Sequence, residues 1–415
     1  MAAVLEAVGY ATLLLMAHLG HGALWVGLVN RIHSTGMPRW AVKWLSQLCL
    51  GAVLFIPLVL VALVFFGPNA SDIPRGSLVG FLASYWRQGI YYFVPCIAIF
   101  AIVAAIWARR QLIYKPPSAL RSLRREQVDI ARGLGFAPLN GRFANLCGRL
   151  PGNQLFCASV EEREIEFPRL PLGLDGASVV HLTDFHFTGR IGKEYFQEVV
   201  RRANQLKPDI VAITGDLVDH APYIDWLPET LGRLRAHAGV FCIFGNHDLR
   251  TRDVDRLRRT LAECGLVYLG ARWQKVDLRG ESLILAGNEL PWVAPAADMR
   301  TCVAAAIGIE HDRPFRILLA HSPDQFAWAQ RWDFDLMLAG HTHGGQFRLP
   351  WIGPFLTPCW HGVKYSCGTF VAGPTLMHVS RGISSELPFR MNCPPEINKV
   401  VLRAAGKDVS ASGAA

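Results

Sequence analysis

The chain has 415 residues, of which 51% are hydrophobic and 18% are charged, and its formal net charge is +9. This length leaves room for two or three domains, and the hydrophobic fraction is high for a purely soluble protein. The positive charge is spread along the chain and accompanies no nucleic-acid-binding module, which argues against a nucleic acid partner and favours a membrane.

The hydrophobic excess lies in the first quarter of the chain, in three segments that are almost free of charge. These segments are residues 7–29, 45–66 and 89–108. Each has about 20 residues or more, enough to cross ~30 Å of hydrocarbon, so we predict a transmembrane region over residues 1–110 with about three helices. Because the first segment has only Glu6 before it, it lacks the basic start of a cleavable signal peptide and should remain as an anchor. A shorter apolar patch, residues 78–86, ends at Arg87 and is expected at the membrane interface.

Lys and Arg residues are concentrated after the first and after the third predicted helix. The first region holds Arg31, Arg39 and Lys43, and the second holds Arg109, Arg110, Lys115, Arg121, Arg124 and Arg125. The loop between the second and third helices holds only Arg75 and Arg87. With three helices both basic regions fall on one side, which the positive-inside rule makes cytoplasmic. We therefore predict a multi-pass protein of the inner (cytoplasmic) membrane with the rest of the chain in the cytoplasm.

Two features of the sequence, a histidine pair and the cysteines, bear on cofactors and redox state. His18 and His21 share one face of the first helix, and we favour helix packing over cofactor binding because the other spans offer no partner carboxylate. The chain has ten cysteines, none in a C-x-x-C pair, which excludes a secreted disulfide framework. We expect free thiols, although Cys359 and Cys367 could pair in an oxidising compartment.

Residues 111–154 are predicted as a basic juxtamembrane linker. Lys115-Pro116-Pro117 interrupts any helix, and arginines recur among Leu and Phe residues as far as Arg149. Clusters of this kind bind anionic headgroups on the cytoplasmic leaflet. A solvated linker without lipid contact is an equally good interpretation.

Five apolar runs further along the chain each end directly in polar residues. The runs are residues 179–182, 210–213, 240–244, 317–320 and 336–339. The polar residues that follow them are Asp184 and His186; Asp216 and Asp219; Asn246, His247 and Asp248; His321; and His341 and His343. Continuous apolar runs are typical of strands covered on both faces, and open α/β sheets bind ligands at the carboxyl ends of such strands. We therefore expect these side chains to converge on one place.

This set of side chains combines imidazoles, carboxylates and one amide oxygen. Imidazole favours Mn, Fe or Zn over Mg or Ca alone. The donors are too many for one ion, so a pair of divalent cations that share one carboxylate is the simplest interpretation.

The motifs Asp-x-His, Gly-Asp-x-x-Asp, Gly-Asn-His-Asp, a lone His and Gly-His-x-His follow one another in this order. In this order they resemble the calcineurin-like metallophosphoesterase superfamily over residues 155–403. The resemblance implies an α/β fold, a two-sheet sandwich flanked by helices. We accordingly expect a catalytic domain over residues 155–405, followed by a disordered tail over 406–415.

The resemblance also implies a role for each polar residue. One metal would be held by Asp184, His186, His343 and the bridging Asp216, and the other by Asp216, Asn246, His321 and His341. His247 would stabilise or protonate the leaving oxygen, and Asp248 would orient His247. Asp219 would contact a metal ligand without binding the metal itself. Two divalent ions are expected as cofactors, with Mn²⁺ favoured and Fe, Zn or Mg as alternatives. Arg250 stands where related sequences often carry an aromatic residue, which affects substrate fit.

Periodicity between the motifs predicts the elements that frame them. Apolar residues recur at helical spacing over residues 194–206 and again over 254–264, where Gly265 would end the helix. Ser322-Pro323-Asp324 carries the signature of a helix start. Alternation of strands and helices indicates a layered α/β domain. Short strands over residues 376–380 and 399–403 are expected in a second sheet packed on the first.

Two apolar loops bear on the substrate. Phe347, Trp351, Phe355 and Trp360 follow the last histidine pair, and residues 290–293 form a second apolar loop. Beside a polar metal centre in a membrane-anchored chain, such loops indicate a lipid-bearing substrate that enters from the bilayer. The alternative is that these side chains cover the core of the sandwich.

The leading hypothesis is a metal-dependent hydrolase of a phosphodiester or pyrophosphate bond at the cytoplasmic membrane face. Within the superfamily, the chain resembles membrane-anchored bacterial phosphodiesterases, including the group that cleaves UDP-2,3-diacylglucosamine during lipid A biosynthesis. The motifs report chemistry rather than the leaving group, so two alternatives stay open. They are a general phosphodiesterase for small soluble substrates and a non-catalytic, metal-dependent membrane scaffold.

Overall fold

The computed structural model describes residues 1–67, 77–113, 116–306 and 313–405. Arg75 and Lys115 of the charge argument, and the tail predicted over 406–415, lie outside the described residues. The chain divides into two units, Met1–Lys115 and Pro116–Ala415.

The first unit consists of long helices. They are α1 (Ala2–His33), α2 (Arg39–Phe66) and α3 (Leu78–Ile113). All three are long and apolar enough to cross a membrane, which confirms the predicted number within the described residues. Residues 78–86 form the first turns of α3, so this patch is continuous with the predicted third helix and does not end at Arg87. A single arginine such as Arg87 does not end a helix, since Arg has a high helix propensity.

The two histidines of α1 connect the helices of this unit. Nε2 of His18 lies 2.9 Å from the Tyr85 hydroxyl, and Nδ1 of His21 lies 2.6 Å from the Tyr92 hydroxyl. Nε2 of His21 also lies 3.1 Å from the Val53 carbonyl oxygen of α2. Both imidazoles therefore satisfy polar groups between packed helices, the role favoured from the sequence.

Among the described residues, the second unit contains the remaining helices and all the strands. Its helices are α4 (Ile130–Leu134), α5 (Gly141–Gly148), α6 (Lys193–Gln205), α7 (Val254–Glu263), α8 (Met299–Ala306) and α9 (Phe326–Arg331). Its strands are β1 (Leu120–Asp129), β2 (Cys157–Phe167), β3 (Ser178–Leu182), β4 (Ile210–Thr214), β5 (Val240–Ile243), β6 (Leu266–Tyr268), β7 (Trp273–Leu278), β8 (Glu281–Asn288), β9 (Phe315–Ala320), β10 (Leu336–Ala339), β11 (Arg348–Leu349), β12 (Gly353–Pro354), β13 (Gly368–Ala372), β14 (Thr375–Val379) and β15 (Glu396–Ala404).

The strands form two large sheets that pack face to face. The first has seven strands in the order β1-β2-β15-β3-β4-β5-β6, and the second has six in the order β13-β14-β10-β9-β8-β7. One buried cluster fills the space between them, with Val179 and Ile210 from the first sheet and Ile317 and Leu336 from the second. Because β11 and β12 pair only with each other, they form a separate hairpin.

Helices cover the outer face of each sheet. Phe196 and Val199 of α6 and Leu257 of α7 pack in a cluster on the first sheet. Met299 of α8 and Phe326 of α9 pack in a cluster on the second. The core strands are therefore covered on both faces, which explains their continuous apolar sequences. The predicted α/β sandwich flanked by helices is confirmed.

Two predictions of the framework differ from the structure. Residues 120–129, expected in a linker, form the edge strand β1, which pairs antiparallel with β2. Most of its side chains are exposed and half are charged, so it lacks the apolar alternation that marks a half-buried strand. Residues 399–403, expected in the second sheet, belong to β15, which inserts between β2 and β3 of the first. Periodicity identifies a strand but does not specify its neighbours.

The predicted helix starts and ends agree with the structure. α6 covers residues 193–205, and α7 is followed by Gly265 at φ 79°, a left-handed conformation that glycine adopts without strain. The Ser322 side chain accepts a hydrogen bond from the Asp324 backbone N–H at the start of a short 3₁₀ turn before α9. All ten cysteines are free thiols.

Candidate metal centre

The ten predicted polar residues lie at the carboxyl ends of five strands. In the first sheet, β3, β4 and β5 are parallel neighbours, and in the second, β9 and β10 are parallel neighbours. Parallel neighbours end at the same edge of a sheet, so the loops after these strands meet where the two sheets open. The expected convergence of the five motifs is thus observed.

One group of side chains is built from Asp184, His186 and His343. The two imidazole Nε2 atoms lie 3.1 Å apart. Asp184 Oδ1 lies 3.9 Å from Nε2 of His186 and 3.6 Å from Nε2 of His343. All three residues have ligand atoms within 4.8 Å of one another, a spacing that one cation can bridge.

A second group is built from Asp216, His321 and His341. Asp216 Oδ2 lies 3.2 Å from Nε2 of His321 and 3.6 Å from Nε2 of His186, so this one oxygen faces both groups. Asn246 Oδ1 is buried and has no hydrogen-bond partner in the described part of the chain. A buried amide oxygen without a donor is costly unless it binds something else, such as a cation.

These donors fit a pair of divalent cations. Asp184 and Asp216 are 0% and 1% exposed, and two buried carboxylates so close together need positive charge between them. The imidazoles are oriented for the purpose, because Nδ1 of His321 lies 2.6 Å from the Thr214 carbonyl oxygen. A ring that donates from Nδ1 to a carbonyl presents the lone pair of Nε2 to a metal.

The Asp219 carboxylate lies behind two histidines. Its Oδ2 atom lies 3.0 Å from Nδ1 of His186, and its Oδ1 atom accepts a short hydrogen bond from Nδ1 of His247. Asp219 was predicted to contact a metal ligand, and it does contact His186. It also contacts His247, the histidine that was expected to act as the acid. One carboxylate fixes the ring orientation and the tautomer of both imidazoles.

Asp248 does not orient His247, contrary to the expectation from the sequence. Its Oδ1 atom accepts hydrogen bonds from the backbone N–H groups of Leu217 and Val218, at 2.8 and 2.9 Å. Its Oδ2 atom accepts one from Gly245 N–H at 2.8 Å. Asp248 therefore ties the loop after β4 to the loop after β5. Its carboxylate therefore bonds to the backbone and not to His247, although the two residues are adjacent in the chain.

The buried charges shift the pKa values of the histidines in opposite directions. Burial alone would lower the pKa of His186 and of His321, but nearby carboxylates outweigh it and raise both to about 9. Burial lowers the pKa of His247 in spite of the neighbouring Asp216 and Asp219 carboxylates. Burial likewise lowers the pKa of His343, helped by His186 and Arg390. In this arrangement, the buried carboxylates of Asp184, Asp216 and Asp219 balance any positive charge that the imidazoles carry.

Most of the predicted ligands have a left-handed backbone. The φ angles are 56° at Asp184, 47° at His186, 54° at Asp216, 69° at His341 and 50° at His343. A non-glycine residue pays ~1–2 kcal/mol for this conformation. Sharp bends directly after the strands aim these side chains into the site.

Two residues that the sequence did not single out, Arg390 and Glu386, complete the surroundings. Arg390 is fully buried, and its Nη2 atom lies 3.3 Å from Nδ1 of His343. Arg250 Nη1 lies 3.1 Å from Glu386 Oε2 and 3.6 Å from Asp219 Oδ1. Glu386 and Arg390 stand in a loop without periodicity, so no local pattern could have identified them.

Of the two apolar loops, one touches the predicted ligands. The Trp292 ring centroid lies 4.6 Å from that of His341 and 5.5 Å from that of His321. In the other loop, Phe347 stacks on Phe389 at 5.5 Å, whereas Trp351 is 88% exposed. The exposed part of this loop therefore does not cover the core of the sandwich.

Known proteins have sequences similar to that of this chain. The family described as calcineurin-like phosphoesterase matches residues 177–345. The metallophosphoesterase YkuE of Bacillus subtilis is 30% identical over 59% of this chain and 85% of its own length. The phosphodiesterase YaeI of Escherichia coli is 27% identical over 54% of this chain and 81% of its own length. A transmembrane protein with metallophosphoesterase domain from Danio rerio is 31% identical over 59% of this chain, and the match spans 57% of that longer relative.

Proposed function

Because the chain belongs to the calcineurin-like metallophosphoesterase family, and is thus a metal-dependent phosphoester hydrolase, we propose that it cleaves a phosphodiester or pyrophosphate bond in a lipid-linked nucleotide. The main support for hydrolysis is one observation: two His/Asp groups lie side by side and share the Asp216 carboxylate. The lipid part rests on the apolar loops beside this site.

Two divalent cations fit the donors of the site. Asp184, His186, His343 and Asp216 would hold one cation, and Asp216, Asn246, His321 and His341 would hold the other. Bound there, the cations supply a water of lowered pKa as nucleophile and neutralise charge on the phosphate oxygens. Mn²⁺ is our first choice of metal, since imidazole-rich donor sets with hard carboxylates suit it.

His247 is proposed to protonate the leaving oxygen. It follows Asn246 directly, yet its Nδ1 atom donates to Asp219, so Nε2 is the nitrogen left to carry a proton toward substrate. Asp219 stabilises the charged ring and fixes its orientation. His247 is thus a catalytic residue in this proposal, and Asp219 is a positioning residue.

The cation Arg250 is proposed to contact the part of the substrate beyond the scissile bond. It lies 3.6 Å from Asp219, the residue that holds His247, and Glu386 keeps its guanidinium in place. A guanidinium pairs well with a second phosphate group, because its donors match phosphate oxygens. This favours a pyrophosphate over a simple diester.

The apolar loops support a substrate with acyl chains. Trp292 offers an apolar wall against two predicted ligands, and the hairpin that begins at Arg348 carries exposed aromatic side chains. UDP-2,3-diacylglucosamine, an intermediate of lipid A biosynthesis, combines a pyrophosphate with acyl chains. We propose that hydrolysis takes place at the cytoplasmic face of the inner membrane, as the distribution of Lys and Arg predicts.

Two alternatives make different predictions. A general phosphodiesterase for small soluble substrates would cleave diesters without acyl chains and gain nothing from lipid. A non-catalytic, metal-dependent scaffold would tolerate the loss of His247 while it requires the metal ligands. No specific contact of the described residues favours either alternative.

The test is release of UMP from UDP-2,3-diacylglucosamine by the detergent-purified full chain with Mn²⁺. Bis-p-nitrophenyl phosphate serves as the small diester, and His247→Ala as the control. Rapid UMP release that depends on His247 is the expected result. If only the small diester is cleaved, the hydrolase stands and the lipid-linked substrate is abandoned.

A further inference from the structure

Exposed apolar side chains of the second unit are concentrated in two places. The first is the hairpin patch, defined as Leu349, Trp351, Ile352, Phe355, Leu356 and Trp360. These residues lie at and after the turn between β11 and β12, and Trp351 at the turn is 88% exposed. An apolar cluster of this size on the surface of a soluble domain marks an interaction site.

The second place is the helix patch, defined as Phe136, Phe143, Leu146 and Leu150. It lies on and around α5, where Leu146 is 62% exposed. Three exposed arginines, Arg132, Arg142 and Arg149, lie among these residues. Apolar side chains interspersed with arginine are typical of a helix that lies in a membrane interface.

One short segment, residues 386–392, accepts hydrogen bonds from residues beside each of the two patches. On the side of the helix patch, Arg190 donates to the Glu386 carbonyl at 2.7 Å and packs over the Phe143 ring at 5.3 Å. On the side of the hairpin patch, Gln346 donates to the Phe389 carbonyl at 2.7 Å, and Arg348 N–H donates to the Met391 carbonyl at 3.0 Å. Seven residues span at most ~25 Å, so the points at which this segment contacts the two patches lie no farther apart than that.

The opening of the metal centre adjoins the same segment. Glu386 at its start holds Arg250, which in turn lies beside Asp219. Pro354 of the hairpin packs where a side chain at Gly345 would otherwise lie, two residues after His343. Both patches are therefore built onto loops of the site itself.

The two stretches of chain that carry these patches contain basic residues and no acidic ones, although Asp324 accepts hydrogen bonds from the Trp360 N–H and Glu386 lies nearby. Residues 130–160 and 336–385 contain no Asp or Glu, although they contain several Lys and Arg. Such stretches are attracted to a surface of negative charge, by about 1 kcal/mol for each basic residue near the membrane. A second copy of this chain would offer the same positive charge, so charge complementarity disfavours it.

We propose that the hairpin patch and the helix patch together form a surface that docks on an anionic lipid bilayer, with the opening of the metal centre beside it. The partner is a bilayer because exposed Trp, Phe and Leu side chains fit the interface and the arginines fit its headgroups. This inference deepens the proposed function, since it brings the scissile bond of a membrane-resident lipid to the site. It rests on that function only for the identity of the substrate.

The test uses the full chain in nanodiscs of phosphatidylcholine with and without phosphatidylglycerol. Trp351, Leu146 or Leu172 is replaced by the photo-crosslinker p-benzoylphenylalanine, and lipid adducts are counted by mass spectrometry. Leu172 is the matched control, because it is 77% exposed but precedes β3, at the opposite end of the strand from the metal centre. Adducts at positions 351 and 146 should exceed those at 172 by about tenfold, since only buried apolar groups reach the acyl region.

Charge provides the second arm of the test. Arg142→Glu with Arg149→Glu should reduce adducts at position 146 severalfold in discs with phosphatidylglycerol and leave them unchanged in neutral discs. Equal adducts at all three positions, or adducts to a second copy of the chain, would overturn the proposal. Crosslinking needs no turnover, so adducts without UMP release would contradict the proposed substrate and leave the docking surface supported.

Discussion

The Nε2 atoms of His186 and His343 lie 3.1 Å apart, closer to each other than either lies to the Asp184 carboxylate. Lone pairs that point at each other are stable only with a proton or a cation between them. We therefore expect a chelator to abolish hydrolysis and to lower the melting temperature. A metal whose free concentration is 100 times its Kd stabilises the folded chain by about 2.7 kcal/mol. Differential scanning fluorimetry of the full chain, with EDTA and then with added Mn²⁺, measures the effect.

The control is Asp216→Asn, which removes the shared carboxylate and should show a smaller shift in melting temperature. An equal shift in this variant would contradict metal binding at this site.

The contrast between Asp219 and Asp248 is testable by matched substitutions. Asp219→Asn removes the acceptor that orients His186 and His247. The metal concentration for half-maximal activity should therefore rise, or the activity fall, about 10–100-fold, as on loss of other carboxylates that contact metal ligands. Asp248→Asn loses an acceptor for backbone N–H groups and should mainly destabilise the fold, by about 1–3 kcal/mol. Metal titrations and thermal unfolding of both variants separate the two roles. Identical metal titrations and unfolding curves for the two variants would contradict the different roles assigned to Asp219 and Asp248.

A leaving-group series tests the role of His247. Loss of a general acid costs about 10²–10⁴ in rate when the leaving oxygen needs a proton. His247→Ala should therefore be slow on esters with alkyl leaving groups and much less impaired on bis-p-nitrophenyl phosphate, whose nitrophenolate leaves unprotonated. The measurement is kcat for a series of diesters. A uniform loss across the series would assign His247 to metal binding or folding instead.

Arg250 should discriminate between substrates by their charge. Arg250→Ala removes the cation that we place beyond the scissile bond, so KM for a nucleotide pyrophosphate should increase about tenfold, equivalent to 1.4 kcal/mol. KM for a singly charged diester should change little. Arg252→Asn is the control, because Arg252 is exposed and has φ 56°, which Asn tolerates. Equal effects of Arg250→Ala on both substrates would sink this assignment.

His181 should make stability depend on pH. Its Nε2 atom lies 2.8 Å from the Thr214 hydroxyl, and burial lowers its pKa from 6.5 to about 3. Between these two values the unfolded chain binds one more proton than the folded chain, so stability is present above pH 6.5 and falls as the pH falls, by up to ~1.4 kcal/mol per pH unit. His181→Gln should make this dependence shallower. Melting temperatures at several pH values test it, with exposed His237→Gln as control, and parallel curves for His181→Gln and wild type would contradict it.

The sequence predicted the centre of the fold better than its edges. Apolar runs that end in Asp, Asn or His indicated five parallel strand ends, because buried strands and their loops carry a local signature. β1 was missed because an edge strand with exposed charges resembles a linker. β15 was identified as a strand but placed in the wrong sheet, since strand order depends on contacts between distant segments.

The same limit applies within the site. Asp248 seemed the natural partner of His247 because they are neighbours in the chain, yet Asp219, 28 residues earlier, holds the imidazole. Arg390 and Glu386 reach the site through a loop whose sequence has no periodicity. Motifs therefore identified the residues that face the proposed metals, while the contacts that orient those residues required the structure.

The left-handed backbone of five predicted ligands has a consequence for the evolution of this chain. Glycine at Asp184 or His341 would relieve backbone strain of ~1–2 kcal/mol and remove a predicted ligand in the same step. Selection for thermostability alone would thus drift toward a sturdier protein without catalysis, the usual conflict between stability and activity. At these positions the fold therefore carries a conformational cost that serves the proposed metal site.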